Sequence, residues 1–229
     1  SQENFNIEIK SGIRDMGGKI DFTYYPNNRH NMKWGVDYLH HKFTPVSISA
    51  SQDTTVFDTG LAQNLYSHES AIYFLDEVDL NEFIRINVGL RYSMYQFVGP
   101  FIRYTQDAVG NPDSTISYAK NDVIKFYHAL EPRISARFLL TKSSSIKAGY
   151  MYNNQYVHLT SLSAVSMPTD IWYPSTDIAQ PQKGWQASVG YFQNFNNNKW
   201  ETSVELYYKQ MNNVIEYKQG ALPSDNVND

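Results

Sequence analysis

From Ile84 to Tyr95 the chain alternates without a break, Ile84, Ile86, Val88, Leu90, Tyr92 and Met94 being separated by Arg85, Asn87, Gly89, Arg91, Ser93 and Tyr95. Successive side chains of a strand point to opposite faces, so this run predicts a strand with one apolar and one polar face. Lys199 to Lys209 repeats the design, with Trp200, Thr202, Val204, Leu206 and Tyr208 opposing Glu201, Ser203, Glu205, Tyr207 and Lys209. The same period runs through Lys19–Tyr24 and Lys33–Phe43, where Trp34, Val36 and Tyr38 oppose Lys33, Gly35 and Asp37. In Ile124–Phe138, Phe126, Leu130, Ile134, Ala136 and Phe138 oppose Lys125, Glu131, Arg133, Ser135 and Arg137. Pro132 interrupts that run and removes a ladder donor, which predicts a bulge or irregular register near Glu131-Pro132-Arg133. Ile146–Tyr152 and Trp185–Tyr191 complete the set, whereas Ser70–Val78 is apolar in both phases and its faces stay unassigned.

The connections between these strands alternate in length. Asn27–His30 is short and Thr44–Leu65 long; Asp79–Glu82 is short and Val98–Asn121 long; Thr141–Ser144 is short, Val157–Lys183 long, and Asn196–Asn198 short again. Short turns on one rim and long loops on the other are the pattern of an outer-membrane β-barrel. Residues 1–13 read either as a first strand or as the end of a long loop. With no repeat, linker or amphipathic helix in view, residues 1–229 form one architectural unit.

Composition agrees with strands: 18 Tyr, 12 Phe and 4 Trp bring aromatics to 15%, against 18% charged residues. A net charge of −4 leaves no basic face for nucleic acid. The absence of cysteine excludes disulfides, thiolate metal sites and cysteine nucleophiles. No run approaches the roughly 20 apolar residues of a membrane helix. The mean hydropathy of −0.50 does not argue against a membrane, because a spanning strand shows lipid only every second residue. Ser1-Gln2-Glu3 has no signal-peptide character, so a signal is either absent or lies upstream.

In order and spacing, several stretches resemble the middle of the barrel of TonB-dependent receptors, particularly the Bacteroidetes-type group. They are SGIRDMGGKIDFTYYPNNRHNMKWGVDYLHHKFTP (11–45), SAIYFLDEVDLNEFIRINVGLRYSMY (70–95), EPRISARF (131–138), SIKAGYMYNNQYVHL (145–159), MPTDIWYP (167–174), PQKGWQASVGYFQNF (181–195) and SVELYYKQMNNVIEYKQGA (203–221). The resemblance implies an all-β fold, an antiparallel meander forming part of a 22-stranded barrel around an N-terminal plug. It also implies import of an extracellular small molecule, glycan or peptide, driven by the TonB complex acting on the plug. Outer-membrane lipid surrounds such a barrel, and a surface lipoprotein is a further partner the resemblance leaves open. Neither plug, TonB box nor terminal aromatic strand is visible here, which predicts a section of barrel wall.

Two groups of residues are candidates for function. Lys33, Asp37, Arg85, Arg91, Lys125, Glu131, Arg133, Arg137, Glu201, Glu205 and Lys209 fall on the polar faces and are expected to line the lumen, facing each other and, by the resemblance, the plug. The bland reading of that row is a solvated wall. In the loop 157–183, His158, Asp170, Trp172 and Tyr173 are candidates for ligand contact, since aromatics offer large rigid contact area. The competing reading, an aromatic girdle, suits Trp185 best. His40 and His41 adjoin, but on a strand they point to opposite faces, and no other histidine spacing suggests a metal. No GxSxG elbow, paired carboxylates or nucleophile–base spacing marks an enzyme, and no cofactor motif is present. Beside the transport barrel stand two alternatives, a passive porin-like or structural barrel and a soluble β-rich binding module.

Overall fold

The computed structural model describes residues 5–52, 55–58, 63–106, 112–160 and 170–216, with side chains described for 11–44, 63–105, 113–160 and 170–216. Every regular element among them is a strand. In chain order these are β1 (Phe5–Asn27), β2 (His30–Gln52), β3 (Thr55–Asp58), β4 (Leu65–Asp79), β5 (Ile84–Val98), β6 (Phe101–Gln106) and β7 (Pro112–Tyr118). β8 (Val123–Thr141), β9 (Ser144–Gln155), β10 (Val157–Thr160), β11 (Ile171–Pro174), β12 (Gln182–Phe195) and β13 (Trp200–Asn212) follow. The main sheet has the order β1-β2-β4-β5-β8-β9-β12-β13, with β3 on the far end of β2. Each strand pairs antiparallel with the next, and among the described residues β1 and β13 have a neighbour on one side only. The result is an arc of barrel wall.

One rim is made of tight turns. Asn27 Oδ1 accepts from the Arg29 N–H at 2.8 Å, and Asn81 Oδ1 accepts from the N–H groups of Phe83 and Ile84 at 2.8 and 2.9 Å. Asn196, Asn197 and Asn198 turn the last hairpin at φ of 51°, 53° and 65°, a left-handed region that Asn tolerates better than most residues. The opposite rim carries the long connections, and these are not bare loops. β2 runs on to Gln52 and pairs there with the start of β1, so residues from Phe5 onward are strand. The second and third long connections contain the separate hairpins β6–β7 and β10–β11.

The irregularity expected at Pro132 does not occur. Register with β5 is continuous through Leu90↔Pro132 and shifts only at Phe97/Val98. The ladder with β9 starts at Arg133↔Met151, immediately after the proline, so a donor missing at 132 interrupts nothing on that side.

The two faces of the arc differ sharply. On one, Val36, Ile72, Leu90 and Leu130 stand 47%, 54%, 47% and 58% exposed, and Phe22, Phe74, Val88, Ile134, Val189 and Leu206 extend the same band. In water each such side chain would forgo about 1.5–3 kcal/mol of burial, and so broad an apolar patch does not occur on a soluble monomer. This face is the lipid side. Register settles the undecided strand: Ile72 pairs with Val36 and Tyr92, placing Ile72 and Phe74 on the lipid side and Glu69, Ala71 and Tyr73 on the inner side. The buried cluster, Phe43, Leu65, Tyr95, Phe97, Phe101 and Tyr156, lies on the inner face toward the long-loop rim.

Candidate functional site on the inner wall

Alternation puts Asp37, Arg91, Ser93 and Glu131 on the inner face, and register brings them together. Arg91 lies directly opposite Glu131, and Asp37 shares a rung with Ala71 and Ser93. The small Ala71 leaves room for the Arg91 guanidinium to reach across β4. Its Nη1 and Nη2 donate to the two Asp37 oxygens at 2.7 and 3.3 Å. Nη2 is also 3.5 Å from Glu69, and Nε 3.8 Å from Glu131. Glu131, only 4% exposed, accepts a hydrogen bond of 2.8 Å from Ser93 Oγ. Since Ser93 spends its proton there, the 2.8 Å contact with Tyr156 is a bond donated by the phenol. On the neighbouring strands His41 Nδ1 is 2.7 Å from Asp15 and Nε2 is 3.8 Å from Glu69. One arginine thus serves three carboxylates, and His41 links one of them, Glu69, to a fourth, Asp15.

Above this network the β10–β11 hairpin folds inward. Tyr156, at its root, stacks on Tyr95 with ring centroids 4.9 Å apart and planes 6° from parallel. β11 packs against β1, β2 and β4, and Trp172 and Tyr173 lie against the buried cluster. The following turn is tied down polar group by polar group. The Ser175 N–H donates to the Tyr156 carbonyl at 2.7 Å, the Tyr127 hydroxyl to the Thr176 carbonyl at 2.6 Å, and Arg103 to Asp177 at 2.6 Å. His158 is buried and bonded to Ser175 Oγ at 2.8 Å; burial alone lowers its pKa to about 4, so it is neutral. Burial raises the Tyr156 and Tyr173 phenols to about 12, and both stay protonated donors.

Of the residues singled out from sequence, Asp37, Arg91 and Glu131 form the network, and His158, Asp170, Trp172 and Tyr173 lie in the infolded hairpin. Arg85 is elsewhere, at the short-turn rim, held by Asp79 at 2.5 Å and Glu77 at 3.1 Å. Lys125 lies over the Tyr127 ring, and Arg133 donates to Asn153 at 2.8 Å. The Arg137 Nε is buried with no hydrogen-bond partner among the described residues. Lys33 is exposed near the turn rim, and Glu201, Glu205 and Lys209 are exposed on the edge strand β13. Arg133 and Glu205 also line a shallow inner-wall groove of about 410 Å³. Trp185 packs with Tyr150 and Tyr208 on the lipid side. His40 and His41 do take opposite faces, His41 inward. Sequence reasoning missed Glu69, His41, Asp15, Ser93 and Tyr156; the phase of β4, once known, would have given Glu69.

An open antiparallel wall with an apolar outer face, a charged inner face and rims of unequal loops defines a section of an outer-membrane β-barrel. The family model for the TonB-dependent receptor-like β-barrel matches residues 4–228, and the chain belongs to that family. Three solved structures share the fold. The FrpB iron transporter from Neisseria meningitidis is 11% identical over 87% of this chain and 28% of its own, with a TM-score of 0.54. The copper transporter OprC is 15% identical over 88% and 30%, at 0.58, and the Serratia marcescens hemophore receptor HasR 9% identical over 90% and 34%, at 0.51. The chain therefore spans about a third of the length of these receptors or less. No curated protein sequence matches it.

Proposed function

We propose that this chain supplies part of the wall and mouth of an outer-membrane receptor that imports its ligand by TonB-driven rearrangement of a plug seated against the inner face. One observation carries the reading: the inner wall bears a part-buried polar network, closed at Glu131, Ser93 and His41, under an inward-folded aromatic hairpin, where a passive pore needs only a wetted lining. Arg91, with Asp37, Glu69 and Glu131 around it, offers both signs of charge to whatever fills the lumen. In this reading Trp172 and Tyr173, on the same infolded hairpin as His158 and beside Asp170, supply the ligand contacts. Iron, copper and heme in the names of the structural relatives favour a metal-bearing nutrient such as a siderophore or cobalamin, with a glycan as the other class. The receptor carries out no covalent chemistry in this reading, and a surface lipoprotein is its optional partner.

The test is uptake by a deletion strain complemented with the complete receptor, across iron chelates, cobalamin and oligosaccharides, with and without a protonophore. Uptake of one ligand restored by the receptor and abolished by the protonophore is the expected result. Restored uptake that persists in the protonophore would replace this reading with a passive barrel.

A further inference from the structure

The lipid-facing side carries a second feature. Met32 and Lys42 are ten residues apart on that face of β2, about 33 Å along the strand, which at a tilt of about 40° is close to the 25 Å height of an outer-membrane apolar band. The lower edge of that band is polar at His30 and Asp76, which pair at 2.8 Å. At the upper edge, on the side of the long connections, register sets Arg14 beside Lys42 and Lys42 beside Tyr66. One rung below lie Met16, His40 and His68, and one below that Tyr38. The rings of His40 and His68 are 4.8 Å apart, Tyr66 stacks on His40 at 6.1 Å, and the Tyr38 hydroxyl holds His68 Nδ1 at 2.6 Å. Among the described residues neither Arg14 nor Lys42 has an ion-pair partner, and no carboxylate described in β1, β2, β4, β5 or β8 shares this face at the upper edge.

We infer that Arg14, Lys42, His40 and His68 form a docking site for the phosphate group of a lipid in the outer leaflet. The inference rests on the outer-membrane placement of the barrel, not on the transport reading. Two cations beside each other, without counter-charge, at the level where the apolar band gives way to headgroups, match a phosphate whose acyl chains lie along Val36, Ile72 and Phe74. The long-loop rim is the outward one, so the leaflet is the outer. The stacked rings keep the two histidines and Tyr66 in place around it and present flat faces to a sugar headgroup.

The experiment uses the complete receptor in detergent micelles, titrated with a phosphorylated glycolipid and with the same lipid after enzymatic dephosphorylation. The double variant R14Q/K42Q is compared with K142Q/K199Q, which removes equal charge at the short-turn rim. Wild type and K142Q/K199Q are expected to bind the phosphorylated lipid about 10-fold more tightly than R14Q/K42Q, with R14K/K42R restoring most of the difference. Retained heat-modifiable migration on gels shows that each variant is folded. Equal affinity for phosphorylated and dephosphorylated lipid, or unchanged binding by folded R14Q/K42Q, overturns the site. Full displacement of the lipid by a soluble sugar phosphate at similar concentration overturns it also, as the site would then take a free anion.

Discussion

Arg91 and Arg85 are six residues apart on one face of one strand, yet the structure gives them different weight. Arg91 serves Asp37, Glu69 and Glu131, whose side chains are 16%, 19% and 5% exposed, while Arg85 pairs with Asp79 and Glu77 at 39% and 34%. Removing one partner of a buried charge set strands the others, at about 3 kcal/mol, whereas an exposed pair is worth about 0–1 kcal/mol. Arg91→Met is therefore expected to destabilise the folded barrel by about 3 kcal/mol and Arg85→Met by less than about 1, read from urea titrations of the heat-modifiable form. Equal losses would show that the Arg91 network is solvated. Both arginines were legible as lumen-facing from period two alone. Their difference was not, because it depends on Glu69 in the strand that is apolar in both phases, and on Tyr156 reaching back from a later connection.

At the scale of elements, the long strands were readable because their alternation runs for six residues or more, and their turns because short connections, most of them carrying Asn, punctuate them. The short hairpins were not. β10 and β11 are four residues each, too few for a period to show, and what folds them inward is the apolar cluster beneath, drawn from β2, β4, β5 and β6. Pro132 misled for a related reason: a local rule about donors cannot see where a neighbouring ladder begins. The hairpin carries its own pH dependence. His158 has a pKa near 4 when docked, against 6.5 for a free imidazole, so the undocked form binds more protons between those values. Docking should be strongest above pH 6.5, weaken as pH falls from 6.5 to 4, and change no further below. Proteolysis within 157–177 in the purified receptor, followed from pH 7.5 to 4.5 with an acid-stable protease and a denatured-substrate control, checks this. Cleavage is expected to rise toward low pH in the wild type and to stay flat in His158→Gln. A flat wild-type profile would contradict the assignment.

The whole molecule is an arc whose outer face has no soluble explanation and whose inner face is a worked polar surface. Among the described residues β1 and β13 each pair on one side, and β13 is exposed along its length, with Trp200, Leu206 and Tyr207 at 70%, 69% and 73%. In a membrane such edges require further strands, since unpaired backbone groups cannot be left in lipid. The fold and the lipid face both derive from alternation, and the most direct test of them is alternation itself. Single cysteines placed at residues 86 to 93 of β5 in the complete receptor, spin-labelled and reconstituted in bilayers, report oxygen against a water-soluble relaxation agent. The expected result is a strict period of two, with labels at 86, 88, 90 and 92 in contact with lipid and those at 87, 89, 91 and 93 shielded from it. A uniform response along the strand, or the same period with the phases exchanged, would contradict the account.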